Sequence, residues 1–88
     1  MDYLLFTYPN CEKCDKLKKL LSKKEVPYQE YSLVLPQGRT RIRDFIKMLK
    51  RDDKGGIILP TLILNDQENV RAVLTSAEEF EAWSGSKG

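Results

Sequence analysis

Apolar residues recur along this chain with a spacing that changes from segment to segment, and each change marks a new element. Tyr3 to Tyr8 (YLLFTY) is a nearly continuous apolar and aromatic run cut off by Pro9-Asn10, which predicts a buried strand ended by a turn. From Cys11 to about Glu25, Cys14, Leu17, Leu20 and Leu21 return at three- and four-residue intervals while lysines fill the other face. This is a helix pattern, with Asn10 as its expected N-cap. Val26-Pro27 breaks it. Tyr28 to Leu35 (YQEYSLVL) suits a second strand, with Pro36-Gln37-Gly38 as its turn.

Ile42, Phe45, Ile46 and Leu49 predict a second helix from about Thr40 to Asp53, closed by Lys54-Gly55-Gly56. Ile57 to Asn65 (IILPTLILN) is a third apolar run, carrying one proline; Asp66 to Asn69 is a polar turn, and Val70 to Leu74 alternates like a half-buried hairpin partner. Ser76 and Glu79 have capping-box spacing at the start of a last helix, whose Phe80 and Trp83 read as core residues. Ser84 to Gly88 reads as a flexible C-terminal tail, leaving residues 1–83 as a single domain.

The order strand, helix, strand, helix, strand, strand, helix defines an α/β class with a four-stranded mixed sheet. The first two strands should be parallel through a right-handed crossover, the last two an antiparallel hairpin, and helices should cover both faces.

Composition narrows the function more than the fold. A chain of 88 residues with 41% hydrophobic content can build one modest core. Fifteen basic against 13 acidic residues leave a net charge of +2, which gives no reason to expect nucleic acid or a membrane surface as partner. The local clusters around Lys13 to Lys24 and Arg39 to Arg51 read as solvated faces. The apolar opening is too short for a secretory h-region or a membrane span, so a cytoplasmic location is expected.

The chain has two cysteines, Cys11 and Cys14, and no histidine. Two thiolates alone do not complete a tetrahedral zinc site, and no histidine can serve as a general base, so no metal or bound cofactor is expected within one chain. Residues at i and i+3 in a first helical turn have β-carbons about 5 to 6 Å apart. A disulfide needs roughly 3.5 to 4.5 Å, so small adjustments allow the pair to cycle between dithiol and disulfide. Cys11, at the helix tip, meets unpaired N–H groups and the positive end of the helix dipole, which favour a thiolate; Cys14 lies a turn inside on the apolar face. Cys11 is therefore the expected attacker, with a lowered pKa to which Lys13 and Lys16 contribute and Glu12 is opposed. In the expected cycle Cys11 attacks a substrate disulfide, and Cys14 resolves the mixed disulfide.

Pro60 is out of place inside a strand because it has no N–H for the ladder. A strand starting at or just after Pro60 resolves the conflict. A cis Leu59-Pro60 bond is expected to turn the backbone toward the cysteine helix, leaving Leu59 to offer backbone groups to a bound chain.

The stretch Leu5-Phe6-Thr7-Tyr8-Pro9-Asn10-Cys11-Glu12-Lys13-Cys14 resembles the opening of a glutaredoxin, where a strand ending Tyr-Thr-Lys-Pro runs into CPYC, and Pro60-Thr61-Leu62 is similar to that family's cis-proline and following strand. The resemblance, within the wider thioredoxin-like superfamily, covers nearly the whole chain. It implies a thiol-disulfide oxidoreductase in which Cys11 is the nucleophile, Cys14 the resolving cysteine, and Leu59-Pro60 a backbone clamp. Tyr8, Pro9 and Lys13 beside the cysteines, with Thr75 and Ser76 at the last helix, would complete the substrate site. Disulfide-containing proteins or glutathione would be its partners, and a glutathione- or thioredoxin-reductase-linked system would restore the dithiol of a monomeric protein.

The chain departs from the family pattern at several points. Tyr8 stands where the family has a lysine, Glu12-Lys13 replaces Pro-Tyr, Leu59 replaces valine, and Thr75-Ser76-Ala77-Glu78-Glu79 replaces Gly-Gly-x-x-Asp. Two further functions share the motif: an iron-sulfur or metal-binding module joining CxxC thiolates across a dimer, and a redox-responsive regulator that binds another protein.

Overall fold

In the computed structural model, residues 2–86 are described. Strand β1 (Asp2–Thr7) is followed by helix α1 (Glu12–Lys23), strand β2 (Gln29–Ser32), helix α2 (Pro36–Ile42), a 3₁₀ segment (Arg43–Met48), strands β3 (Thr61–Asp66) and β4 (Asn69–Leu74), and helix α3 (Ala77–Ser86). The sheet order is β2-β1-β3-β4. β1 and β2 are parallel, β3 runs antiparallel to β1, and β4 returns antiparallel to β3. This is the mixed four-stranded sheet that the element order predicts.

Alternation along the central strands decides which layer each residue joins. Leu5, Leu62 and Leu64 turn to one face, where they pack with Leu17, Leu21, Ala77 and Phe80 from α1 and α3. Leu4, Phe6 and Ile63 turn to the other, against Ile42, Phe45 and Leu49. Phe6 stacks on Tyr31 with ring centroids 5.5 Å apart and meets Phe45 at 6.3 Å. Both faces of the two middle strands are therefore buried, which explains why their sequences are continuous apolar runs.

The middle of the chain differs from its hydrophobic pattern in three ways. The second strand is shorter than the run Tyr28 to Leu35, ending at Ser32. Pro36 does not sit in a turn: it opens α2 at the first helical position, where its missing N–H costs nothing and its φ is already helical. The helix expected over Thr40 to Asp53 is instead α2 up to Ile42 and the 3₁₀ segment beyond it. Gly38 is the reason α2 lies close to β2, because a β-carbon there would fall 2.1 Å from the Ser32 carbonyl oxygen. Tighter 3₁₀ winding keeps Phe45 buried but turns Ile46 and Met48 outward.

β3 begins at Thr61, directly after Pro60, so the proline donates to no ladder. Gln67 and Glu68, both at positive φ (48° and 71°), form the two-residue β3–β4 turn. α3 continues through Ser84, Gly85 and Ser86, beyond the expected start of the tail; Lys87 and Gly88 lie outside the described residues. No helix among the described residues is long and apolar enough to cross a membrane.

Candidate active site

Sheet register gathers the predicted site residues at one end of the molecule. Phe6 pairs with Thr61 and Leu62 with Leu74, so the chain leaving β1 at Thr7, the segment entering β3 at Pro60 and the segment leaving β4 at Thr75 are neighbours. Parallel pairing brings β2 to the same end, with Thr7 beside Ser32. The Thr7 hydroxyl donates to Glu30 at 2.8 Å, and Lys18 of α1 reaches the same carboxylate at 3.3 Å. Three elements are thus tied where the chain departs for α1.

Tyr8 and Pro9 are exposed in this departing loop. Asn10 has φ 59°, a left-handed conformation that asparagine tolerates better than most side chains, and it turns the chain into the helix. The N-cap is therefore not Asn10 but Cys11, with φ −108° and ψ 108°. The one-residue difference matters chemically. Cap side chains accept from the first turn, so here the acceptor is sulfur: the Cys14 N–H donates to Cys11 Sγ at 3.1 Å.

Cys11 and Cys14 form a disulfide with Cα atoms 5.2 Å apart. Cys11 is half-buried, whereas Cys14 is only 1% exposed beneath it. One cysteine is partly accessible and the other is held in the core face of α1. Among the described residues, no group of three or more His, Cys, Asp or Glu side chains is placed to hold a metal ion.

The Leu59–Pro60 peptide bond is cis. Pro60 is buried and Leu59 half-buried. The approach to this bond is pinned from both sides: the Ile58 N–H donates to the Lys50 carbonyl at 3.1 Å, and the fully buried Thr61 hydroxyl donates to the Ile58 carbonyl at 2.7 Å.

Across from α1 stands the start of α3. Ser76 is its cap, with Oγ accepting from the Glu79 N–H at 3.0 Å. Glu79 reaches back as a capping-box residue, but one position further than the usual pattern: it accepts from the Thr75 N–H and from the Thr75 hydroxyl. Lys50 adds an ion pair to the same carboxylate at 3.1 Å. The Thr75 backbone bond above all, supported by the Thr75 hydroxyl and Lys50 against the opposing effect of burial, holds the Glu79 carboxyl below the usual glutamate range. Lys16 of α1 donates to Glu78 at 2.8 Å, closing one side of a cleft of about 150 Å³ lined by Lys13, Lys16, Ser76, Ala77 and Glu78.

Lys13, between the cysteines, faces this cleft with Ser76, so the helix-tip residues named from sequence do come together. Glu78, Glu79, Lys16 and Lys50 are joined here by ion pairs that periodicity alone does not predict. Capping-box spacing flags Glu79; no local signal joins Lys16 or Lys50 to carboxylates 62 and 29 residues away.

Comparison with known proteins agrees with this geometry. A solved structure described as that of a malarial protein superposes with a TM-score of 0.56 at 18% identity, covering 98% of this chain and 97% of its own, which is a likeness of fold. No curated protein matches the chain. A family model described as Glutaredoxin matches residues 4–68, a span that contains both cysteines and the Leu59–Pro60 bond. With most of β1, all of β2 and β3 and the entire cysteine helix inside that span, the chain belongs to the glutaredoxin family.

Proposed function

We propose that the protein is a dithiol oxidoreductase that reduces disulfides of proteins or of glutathione through Cys11 and Cys14. The observation that carries this reading is the sulfur cap: Cys11 Sγ accepts the Cys14 N–H at the open end of α1 and is bonded to the buried Cys14. In the reduced protein the same N–H and the helix dipole favour Cys11 as thiolate. That thiolate attacks one sulfur of the substrate disulfide; a mixed disulfide forms, and the other substrate sulfur leaves as a thiolate, taking a proton from water.

Cys14 then gives up its proton to solvent and attacks the Cys11 sulfur. The second substrate half leaves, and the Cys11–Cys14 disulfide closes. Two electrons have moved from the protein dithiol to the substrate, and an external dithiol or two glutathione molecules return them. In this reading Tyr8, Pro9 and Lys13, close to Cys11 in sequence, and the Leu59 backbone beside the cis Pro60 would receive the substrate chain. The location this chemistry requires is a reducing compartment such as the cytoplasm.

The test is turnover of a disulfide substrate measured by NADPH consumption, run in parallel with glutathione plus glutathione reductase and with a thioredoxin reductase. Turnover with either system supports the reading and identifies the electron source; absence of turnover with both rejects it.

A further inference from the structure

The segment leading to Pro60 is one arm of a small hairpin, and the hydrogen bonds of that hairpin decide which way its backbone faces. The Asp52 N–H donates to the Gly56 carbonyl at 2.8 Å and the Ile58 N–H to the Lys50 carbonyl at 3.1 Å, so Arg51 and Ile57 form an antiparallel bridge. In a planar trans peptide the N–H and the C=O point in opposite directions. The Gly56 carbonyl faces the other arm, so the Ile57 N–H faces away from it; the Ile58 N–H faces that arm, so the Ile57 carbonyl faces away as well.

By the same rule the Leu59 N–H points away from the Ile58 carbonyl, which accepts the Thr61 hydroxyl at 2.7 Å. Among the described residues, no hydrogen bond is made by the backbone groups of Ile57 or Leu59. Unpaired donors and acceptors two residues apart are a template for an extended chain. The hairpin is fastened at its tip, where Asp52 Oδ1 accepts the Lys54 and Gly56 N–H groups at 2.9 and 2.8 Å. An open hollow of about 500 Å³, lined by Arg51, Asp52, Asp53, Lys54 and Ile58, gives room there for side chains of a bound segment. This edge continues into the candidate active site: Thr61, next after Pro60, pairs with Phe6, and β1 runs on from Phe6 toward Cys11.

We infer that the hairpin over residues 50–58 is a docking arm for extended polypeptides, in which Ile57 supplies a second pair of backbone hydrogen bonds to a substrate chain held antiparallel at Leu59. The inference rests on the dithiol reading above and deepens its substrate class. Antiparallel pairing repeats every two residues, so a chain whose cysteine lies opposite Leu59 meets Ile57 with the second residue on the C-terminal side of that cysteine. Glutathione, with a single residue after its cysteine, uses the Leu59 contact alone and remains a substrate; polypeptide cystines gain a further anchor. Ile57 touches no reacting atom and acts by holding the chain.

The test uses symmetric disulfides of acetylated peptide methyl esters: a short peptide with one alanine on each side of the cysteine, one extended by two alanines at its C-terminal end, and one extended by two at its N-terminal end. The pre-reduced full chain is mixed with each, and closure of the Cys11–Cys14 disulfide, which releases two peptide thiols, is followed by acid quench and thiol alkylation. The C-terminally extended peptide should react faster than the short one, by about two- to ten-fold for each hydrogen bond gained, and the N-terminally extended peptide should match the short one. N-methylation of the second residue after the cysteine should remove about one such factor, whereas N-methylation of the third, whose N–H faces away from the arm, should not.

Ile57→Pro removes the donor from the protein side and should bring the extended peptide toward the short one; the peptide series carries the test on the unaltered chain, whatever that substitution does to folding. Rates that do not single out the C-terminal extension, or a gain untouched by N-methylation at the second residue, would overturn the inference while leaving the dithiol chemistry standing. Equal rates together with a concentration-dependent dimer in sedimentation would overturn it in favour of a second copy of this chain on the free edge. Failure of every peptide disulfide to oxidise the cysteine pair would instead remove the chemistry on which it rests.

Discussion

Two helices begin at the same end of the sheet, and they end their backbone differently. α1 is capped by sulfur: Cys11 Sγ accepts a single N–H, at 3.1 Å, and it remains half-exposed. α3 is capped by oxygen: the Ser76 hydroxyl accepts the Glu79 N–H and the Glu79 carboxylate accepts the Thr75 N–H just before the helix, with Lys50 paired to that carboxylate and Lys16 to the neighbouring Glu78. Sulfur is the poorer acceptor, so the α1 end retains positive potential that a thiolate can use, while at the α3 end the Glu79 N–H already has an oxygen acceptor. In the proposed function one helix tip serves chemistry and the other stability.

The sharpest way to separate the two roles is Cys11→Ser, because serine is the better N-cap but a negligible nucleophile toward disulfides at neutral pH. Disulfide reduction in the coupled assay should fall to the uncatalysed background. Denaturant midpoints of this variant and the reduced wild type should nevertheless agree, or favour the variant slightly. Cys14→Ser should lose dithiol turnover yet still form a trapped mixed disulfide on Cys11, visible as a mass increase. A variant at position 11 that retained turnover would show that the cap sulfur is not the nucleophile.

Next in size is the apolar face that α1 and α3 share. Phe80 is 2% exposed and packs with Leu5, Leu17, Leu62 and Leu64 in the layer beneath both helix tips. Phe80→Ala should cost about 3 to 5 kcal/mol by chemical denaturation, a large share of the total for a domain this small. Because Leu17 and Phe80 share one core, Leu17→Ala and Phe80→Ala should not be additive. Strict additivity would show that the two helices are supported independently.

How much of this was legible in the residues follows from how local each cause is. β1, α1 and α3 were readable because a helix or a buried strand writes its own period, and the cysteine pair was readable because three-residue spacing fixes its geometry whatever surrounds it. Pro60 marked the start of β3 because its lack of an N–H conflicts with any interior position. The cap of α1 was misplaced by one residue, since Asn10 and Cys11 both suit a helix start and only the left-handed turn at Asn10 decides between them. The α2 region failed for a longer-range reason. Pro36-Gln37-Gly38 has turn composition, but Gly38 is required by the Ser32 carbonyl, a contact outside the segment. Ile42, Phe45, Ile46 and Leu49 keep helical spacing although the backbone after Ile42 winds more tightly. The Lys16–Glu78 and Lys50–Glu79 pairs depend wholly on the fold.

Capping at α3 is worth less than its core. Ser76→Ala removes the acceptor of the Glu79 N–H and should lower stability by about 1 kcal/mol. Closure of the Cys11–Cys14 disulfide should survive, since the α1 sulfur is untouched; its loss in this variant would mean that the two helix tips are coupled rather than divided in role.

The smallest expected effect is the pH dependence that Glu79 adds. Its carboxyl titrates lower in the folded protein than in the unfolded chain, first because of the Thr75 N–H. The unfolded chain therefore binds the proton more readily, and the stabilisation is complete above the ordinary glutamate pKa of about 4.3 and fades as pH falls through the lower folded value. With 39% of the side chain exposed, solvent screening should keep the contribution below about 1 kcal/mol. Comparing wild type with Glu79→Gln in urea from pH 7 to pH 3 measures it: the wild-type advantage at neutral pH should shrink as the carboxylate is protonated. A gap that stays constant to pH 3 would show that the amide oxygen caps Thr75 as well as the carboxylate does, and that this bond before the α3 tip depends on geometry rather than charge.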